Sequence, residues 1–301
     1  MNILTHNVKR LLHALKAMAP VVFLLVVLVF LSSCEKDITL DLPDAEQKLI
    51  VEGYITPGAP AYVFLSKSAG VYDPLDTSSL INYSIINAVV TISDGFITDT
   101  LVQVDPSIGY LYISPGIIGQ VGRTYTLNVK TTEGFTASSI THIDPPVSLD
   151  SVWFQAIPEL DSLGWVWGRL TDPDTLGNRY RVFAKRLGKD DDFIAPLGSV
   201  SDDNFYNGLS FDFAYQRGEV PNSDAPDDEN EEEGYFKRGD TIVVKFACIT
   251  KESYDFWRAA EAQTSNNGNP FGSITPLVSN VNGAIGIWEG YSFTLDTLIA
   301  Q

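Results

Sequence analysis

Residues 122–134 read Gly122-Arg-Thr-Tyr-Thr-Leu-Asn-Val-Lys-Thr-Thr-Glu-Gly134. On an extended chain Tyr125, Leu127 and Val129 share one side, while Thr124, Thr126 and Asn128 share the other. A period of two, built from β-branched and aromatic residues, marks a strand with one buried and one wet face. Glu133-Gly134 supplies a turn, and Phe135 to Ile143 forms the returning strand.

The same pattern extends upstream. Leu49-Ile-Val-Glu-Gly-Tyr-Ile alternates and closes on Pro57-Gly58. Ala61 to Ser68 and Ile86 to Ser93 alternate again, the latter ending in Asp94-Gly95, a strong hairpin signal. About seven short strands with frequent turn residues and no helical period lie between residues 48 and 143. This predicts a mostly β protein whose N-terminal domain, 48–143, is an immunoglobulin-like antiparallel β-sandwich.

Asp144-Pro145-Pro146 interrupts the pattern, because adjacent prolines cannot extend a sheet ladder. Residues 144–150 are therefore a predicted linker, and 151–301 a second antiparallel β domain with one short helix. Trp165-Val-Trp-Gly-Arg-Leu-Thr and Asn178 to Arg186 read as strands, as does Thr241 to Thr250. Thr250 or Ser253 suits a helix cap, which predicts a helix near 251–263. Val281-Asn-Gly-Ala-Ile-Gly-Ile-Trp-Glu-Gly-Tyr is a final strand whose glycines mark a bulge or a close approach of backbone or ligand.

The N-terminus is of another kind. Lys9, Arg10 and Lys16 precede an apolar run from Val21 to Leu31 that ends in Ser32-Ser33-Cys34. A basic segment, an apolar segment and small residues at a cut site are the parts of a secretory signal. The run is short of the ~20 residues a membrane span needs. The ending resembles the lipobox of bacterial lipoproteins, which implies a signal peptide over 1–33, lipidation of Cys34, and a polar tether over 34–47. Attached acyl chains would hold the protein at a membrane by about 0.8 kcal/mol per buried methylene.

Charge narrows the functions. The chain carries 38 acidic against 20 basic residues, a formal charge of −18. Loss of residues 1–33 removes three basic and no acidic residues, taking it to −21. Such a surface repels phosphate backbones and argues against nucleic acid. Cys248 is the only cysteine besides Cys34, so no disulfide framework or cysteine metal site forms within the mature chain. His142 is the only histidine after the signal, and nothing near it resembles a nucleophile elbow. The acidic run 222–233 lacks the EF-hand spacing and reads as a solvated loop, and Arg238-Gly239-Asp240 as the turn before a strand. No metal or cofactor is implied.

Leu49-Ile-Val-Glu-Gly-Tyr-Ile-Thr, Asn87-Ala-Val-Val-Thr-Ile-Ser-Asp-Gly, Gly122-Arg-Thr-Tyr-Thr-Leu-Asn-Val and Phe205-Tyr-Asn-Gly occur in that order. Gly239-Asp-Thr-Ile, Tyr254-Asp-Phe-Trp, Asn269-Pro-Phe and Asn282-Gly-Ala-Ile-Gly-Ile-Trp complete the series. Together they resemble the Bacteroidota lipoproteins classed as domain of unknown function 4249, over nearly the whole mature chain. The resemblance implies an outer-membrane lipoprotein, often paired with a TonB-dependent receptor, and no established reaction. The expected role is therefore non-catalytic: an accessory to such a receptor in nutrient capture or complex assembly. The alternative is a structural or adhesive surface protein. The aromatics Trp165, Trp167, Phe205, Tyr206 and Trp288 are the candidate ligand contacts, because rings bury area at little entropic cost and stack on sugars or peptides.

Overall fold

The structure is a computed structural model that describes residues 20, 46–70, 81–104, 111–158, 160–218, 234–265 and 275–301. Residues 1–19 and 21–33 of the signal segment, Cys34, most of the tether and the acidic loop 222–233 lie outside the described residues.

The protein is mostly β, as predicted. Eight strands come first: β1 (Leu49–Ile55), β2 (Pro60–Lys67), β3 (Val89–Ser93), β4 (Thr98–Thr100), β5 (Val102–Val104), β6 (Leu111–Ile118), β7 (Thr124–Lys130) and β8 (Thr136–His142). There follow β9 (Ser151–Ile157), β10 (Leu160–Thr171), β11 (Arg179–Arg186), β12 (Val200–Asp202), β13 (Ser210–Tyr215), β14 (Phe236–Lys237) and β15 (Thr241–Cys248). Helix α1 (Lys251–Ser265) precedes the last two strands, β16 (Ile285–Gly290) and β17 (Ser292–Ile299).

The alternation of residues 122–134 translates directly into packing. Tyr125, Leu127 and Val129 are buried, and the hairpin to β8 turns on Gly134 at φ +96°. The β3–β4 hairpin turns on Gly95, with Asp94 Oδ1 accepting from the amides of Phe96 and Ile97 at 3.0 Å each. These strands build a sheet in the order β4-β3-β7-β8. Against it packs a second sheet in the order β16-β1-β2-β6-β5. Their shared core includes Val51, Leu65, Ile92, Tyr112, Leu127 and Trp288.

A second pair of sheets follows. One has the order β13-β10-β14 with β9 also paired to β10; the other runs β12-β11-β15-β17. They enclose a separate core that includes Val166, Leu170, Tyr180, Phe236, Val244 and Phe246. Cys248 is buried at its edge, accepting from the Val147 amide at 3.1 Å, and burial pushes its thiol up to about 11. Thr250 Oγ1 accepts from the Ser253 amide at 3.2 Å and so caps α1, satisfying one of its unpaired first-turn donors.

Two features depart from the sequence reading. First, β16 lies within 151–301 but joins the sheet of the N-terminal half. Second, it pairs with β1 in parallel, with Val51 opposite Gly286 and Gly53 opposite Trp288. Glycine makes this possible. Gly286 has φ +135°, and a Cβ there would stand 1.8 Å from the Val51 carbonyl oxygen. A Cβ on Gly53 would meet the Trp288 ring at 2.7 Å. The glycines thus serve a close approach of backbone. Trp288, wholly buried, donates from Nε1 to the Tyr125 carbonyl at 3.0 Å and ties the two sheets of the first core together. Burying such a ring contributes about 4 kcal/mol.

One residue beyond β16, the chain enters β17, which pairs along its whole length with β15 of the second core. Residues 285–299 thus run through both sandwiches, and Glu46–Gln301 form one unit.

Gly286→Ala should cost roughly 3 kcal/mol or more, since the added methyl meets backbone and the φ is strained. Gly58→Ala, at φ +77° with nothing near the new methyl, should cost only about 1 kcal/mol. Chemical denaturation of both variants measures the difference; equal losses would remove the close-approach explanation.

Candidate functional site

Each of two sheets has a second face, turned away from its core. On β1, Glu52 and Tyr54 alternate with the buried Val51, Gly53 and Ile55; on β2, Tyr62 and Phe64 alternate with Val63 and Leu65. The register sets Tyr54 opposite Glu289 of β16 and opposite Tyr62 of β2, so these side chains share a face. On β11, Arg181 and Phe183 alternate with core residues Tyr180, Val182 and Ala184. Phe183 pairs with Lys245 of β15, and Arg181 with Ala247.

Between these outer faces lies a cavity of about 850 Å³. Trp257 from α1, Tyr291 from the β16–β17 junction and the 189–195 segment complete its walls. The volume falls within the range of small-molecule sites.

The cavity is walled by rings but holds charges. Lys245 Nζ lies 4.0 Å from the centroid of Phe183 and 4.7 Å from that of Phe193, with Tyr291 and Phe293 at 5.6 and 5.8 Å. Burial, helped by the neighbouring Arg181 charge, brings its ammonium down to about 8, although Glu289 and Asp192 oppose the shift. Arg181 is 7% exposed; its guanidinium stacks on Trp257 at 3.5 Å and on Phe183 at 4.7 Å. It donates from Nε to Ser199 Oγ at 3.3 Å. Ring faces attract cations, by about 0.5–2 kcal/mol each. Among the described residues, however, no carboxylate lies within ion-pair distance of Arg181 or Lys245.

Glu289 is 2% exposed. Its Oε2 accepts from Trp257 Nε1 at 3.0 Å, while Oε1 is buried without a well-formed hydrogen bond among the described residues, the Ser253 hydroxyl being the nearby donor. Burial raises its carboxyl above the usual range, against the pull of Arg181 and the Trp257 N–H. Glu52, at the exposed side, accepts from the Tyr54 hydroxyl at 2.7 Å. Helix α1 is held over this end by Glu261, which accepts from the Gly198 amide at 3.0 Å and from the Ser199 hydroxyl.

The walls contain no serine, threonine, cysteine or histidine among the described residues. His142 stands elsewhere, half exposed, with Nε2 3.2 Å from Asp144. Among the described residues no group of three or more His, Cys, Asp or Glu is placed to hold a metal ion, and no helix is long and apolar enough to cross a membrane. The arrangement is suited to holding a molecule by stacking and by charge.

None of the five aromatics singled out from the sequence lines this cavity. Trp165 and Trp167 are half-buried on the outer face of β10, where Trp165 stacks on Tyr235 and Trp167 on Trp153. Phe205 is 94% exposed. Tyr206 packs on Phe211 at 4.4 Å beside the second core, and burial pushes its hydroxyl up to about 12. Trp288 is in the first core, and its neighbour Glu289 is the residue that reaches the cavity. The Arg238-Gly239-Asp240 turn is built into the fold: Asp240 is buried, 2.8 Å from Lys189 Nζ, and accepts from the Lys237 amide at 3.0 Å. Cys34 lies outside the described residues.

The signal that marks the site in the sequence is a single charge inside a strand run. Lys245 sits in Ile242-Val-Val-Lys-Phe-Ala-Cys-Ile, Arg181 in Tyr180-Arg-Val-Phe-Ala, and Glu289 in Ile285-Gly-Ile-Trp-Glu-Gly. Each breaks an otherwise apolar stretch on a strand whose other face is core.

The model of the family described as "Domain of unknown function (DUF4249)" matches residues 35–296, and the chain belongs to that family. No curated protein matches the sequence. Among solved structures, a chain titled "Cytokine receptor complex - Crystal form 1A" is 10% identical, with 84% of this chain and 96% of that chain covered and a TM-score of 0.24. A likeness at that score carries no inference about this chain.

Lys245→Met should stabilise the protein at pH 7 by about 2 kcal/mol. A lysine brought from 10.5 to about 8 by folding carries its full penalty below pH 8. The penalty is relieved as pH rises from about 8 to 10.5, where the folded state has lost the proton and the unfolded state has not. The advantage of methionine should therefore shrink across that window. Denaturant melts at pH 7 and pH 10 measure it, and an advantage that grows with pH would contradict the assignment.

Proposed function

We propose that this protein is a non-catalytic lipoprotein of the outer membrane that assists a TonB-dependent receptor by capturing a small nutrient or supporting assembly of the complex. The observation that carries the capture role is the aromatic cavity with Arg181, Lys245 and Glu289 in its walls. Arg181 and Lys245, held in a ring-lined cleft without ion-pair partners among the described residues, are costly to the fold, and such groups concentrate at functional sites. A wall set without serine, threonine, cysteine or histidine among the described residues supports binding over group transfer. The anchoring role rests on the lipobox-like ending at Cys34, and the receptor on the family resemblance. The adhesive alternative loses support because Asp240 of the Arg-Gly-Asp tripeptide is buried in an ion pair.

Two measurements test this reading. Radiolabelled palmitate should enter the full-length chain and be absent from Cys34→Ala, which should also leave the membrane fraction. Tagged wild-type protein, solubilised from its own envelope, should bring down a TonB-dependent receptor in near-stoichiometric amount. An unlabelled chain, or a purified lipoprotein free of any such receptor, would contradict the proposal.

A further inference from the structure

We infer that the cavity between the two sandwiches binds an organic carboxylate with an apolar or aromatic body, the carboxylate lying between Arg181 and Lys245 and the body against the ring-lined walls. The inference takes the capture role as its premise and names the class of molecule captured.

Four observations lead to it. Arg181 and Lys245 are diagonal neighbours on one face of the β11–β15 pair, close enough to interact. Both line the cavity, and neither has a carboxylate within ion-pair distance among the described residues. Arg181 is more than nine-tenths buried, yet it uses only Nε in a hydrogen bond to protein. Its two terminal nitrogens, the pair that grips a carboxylate in a planar fork, have no protein acceptor among the described residues. Against the two cations stand Glu289, Glu52 and Asp190 to Asp192 in the same walls, which confine a bound carboxylate to the space between Arg181 and Lys245.

The surroundings select the rest of the ligand. Tyr54, Tyr62, Phe64 and Trp257 offer ring faces across the same space. A bare inorganic anion would leave those rings wet, and a polyanion would meet a chain of net charge −18. A single carboxylate on an apolar body answers both constraints. Two sources share this chemistry: a free aromatic acid, and the C-terminus of a hydrophobic peptide.

Isothermal titration of the purified full-length chain in detergent tests the inference. The probes are N-acetylphenylalanine, its amide, glucuronate, and a triphenylalanine peptide with free or amidated C-terminus. N-acetylphenylalanine or the free-acid peptide should bind, and the corresponding amides should bind at least tenfold more weakly. Tighter binding of the free-acid peptide identifies a peptide end as the source, and tighter binding of the acid a free small molecule. Arg181→Gln and Lys245→Gln should each weaken the bound probe about 10- to 100-fold, the range for losing a charge-assisted hydrogen bond. Lys245→Gln keeps the inference testable should Arg181→Gln fail to fold. Equal affinity for acid and amide would overturn the inference, as would glucuronate binding as tightly as N-acetylphenylalanine, or no heat with either aromatic acid. These outcomes are independent of receptor co-purification: a receptor-bound protein indifferent to the carboxylate sinks only the ligand class, and a carboxylate binder without a receptor sinks only the partner.

Discussion

The parallel pairing of β16 with β1 is the contact on which the rest of the molecule depends. It exists because residue 286 has no side chain: the Val51 carbonyl occupies the space a Cβ would need. Asn280 fastens the same strand from outside the ladder. Its Oδ1 accepts from the Trp288 amide at 2.8 Å and its Nδ2 donates to the Trp288 carbonyl at 2.8 Å. A Cβ on Gly290 would stand 2.5 Å from the His142 carbonyl oxygen, and the Gly290 amide donates to Thr141 Oγ1 at 2.8 Å. From there the chain passes directly into β17 and the second core. A fifteen-residue segment, 285–299, therefore supplies one strand to each sandwich.

The cavity is a consequence of that crossing. With β16 in one sheet and β17 in the other, the outer faces of the two sandwiches are brought to the same space, and Glu289 from β16 and Tyr291 from the β16–β17 junction are delivered to it. Trp288, between the core and Glu289, shows how the strand works: one side chain fills the interior of the first sandwich, and the next reaches the cleft. Helix α1 covers the end through Trp257 and Glu261. A lysine brought far below its ordinary range and a carboxylate with an unsatisfied oxygen both lower stability. Apolar residues of similar volume would pack there at less cost, so Arg181, Lys245 and Glu289 are not explained by stability.

How legible was this in the chain? The alternation of Tyr125, Leu127 and Val129 declares a strand because its period is local, and Gly95 and Gly134 declare hairpins for the same reason. The helix after Thr250 is legible from its cap. The parallel β16 is not, since pairing residues 50 and 285 is a long-range event that no local period records. Its glycines stand out, but a close approach to backbone and a close approach to ligand look alike in a sequence. The five candidate aromatics do not line the cavity. Trp288 is core, Trp165 and Trp167 stack with neighbours on another face, and Phe205 stands in solvent. The rings that matter, such as Phe183 and Trp257, are ordinary strand and helix residues until the fold sets them around two cations. The informative letters were Arg181, Lys245 and Glu289, each a charge in an apolar strand.

Native-state hydrogen exchange across residues 285–299 tests the central claim most directly. If this segment holds both cores together, amides of β16 and β17 exchange only through the same global opening that exposes β1 and β15, with one shared free energy. Rapid exchange of 285–290 while β15 stays protected, or two opening energies that separate the sandwiches, would contradict it.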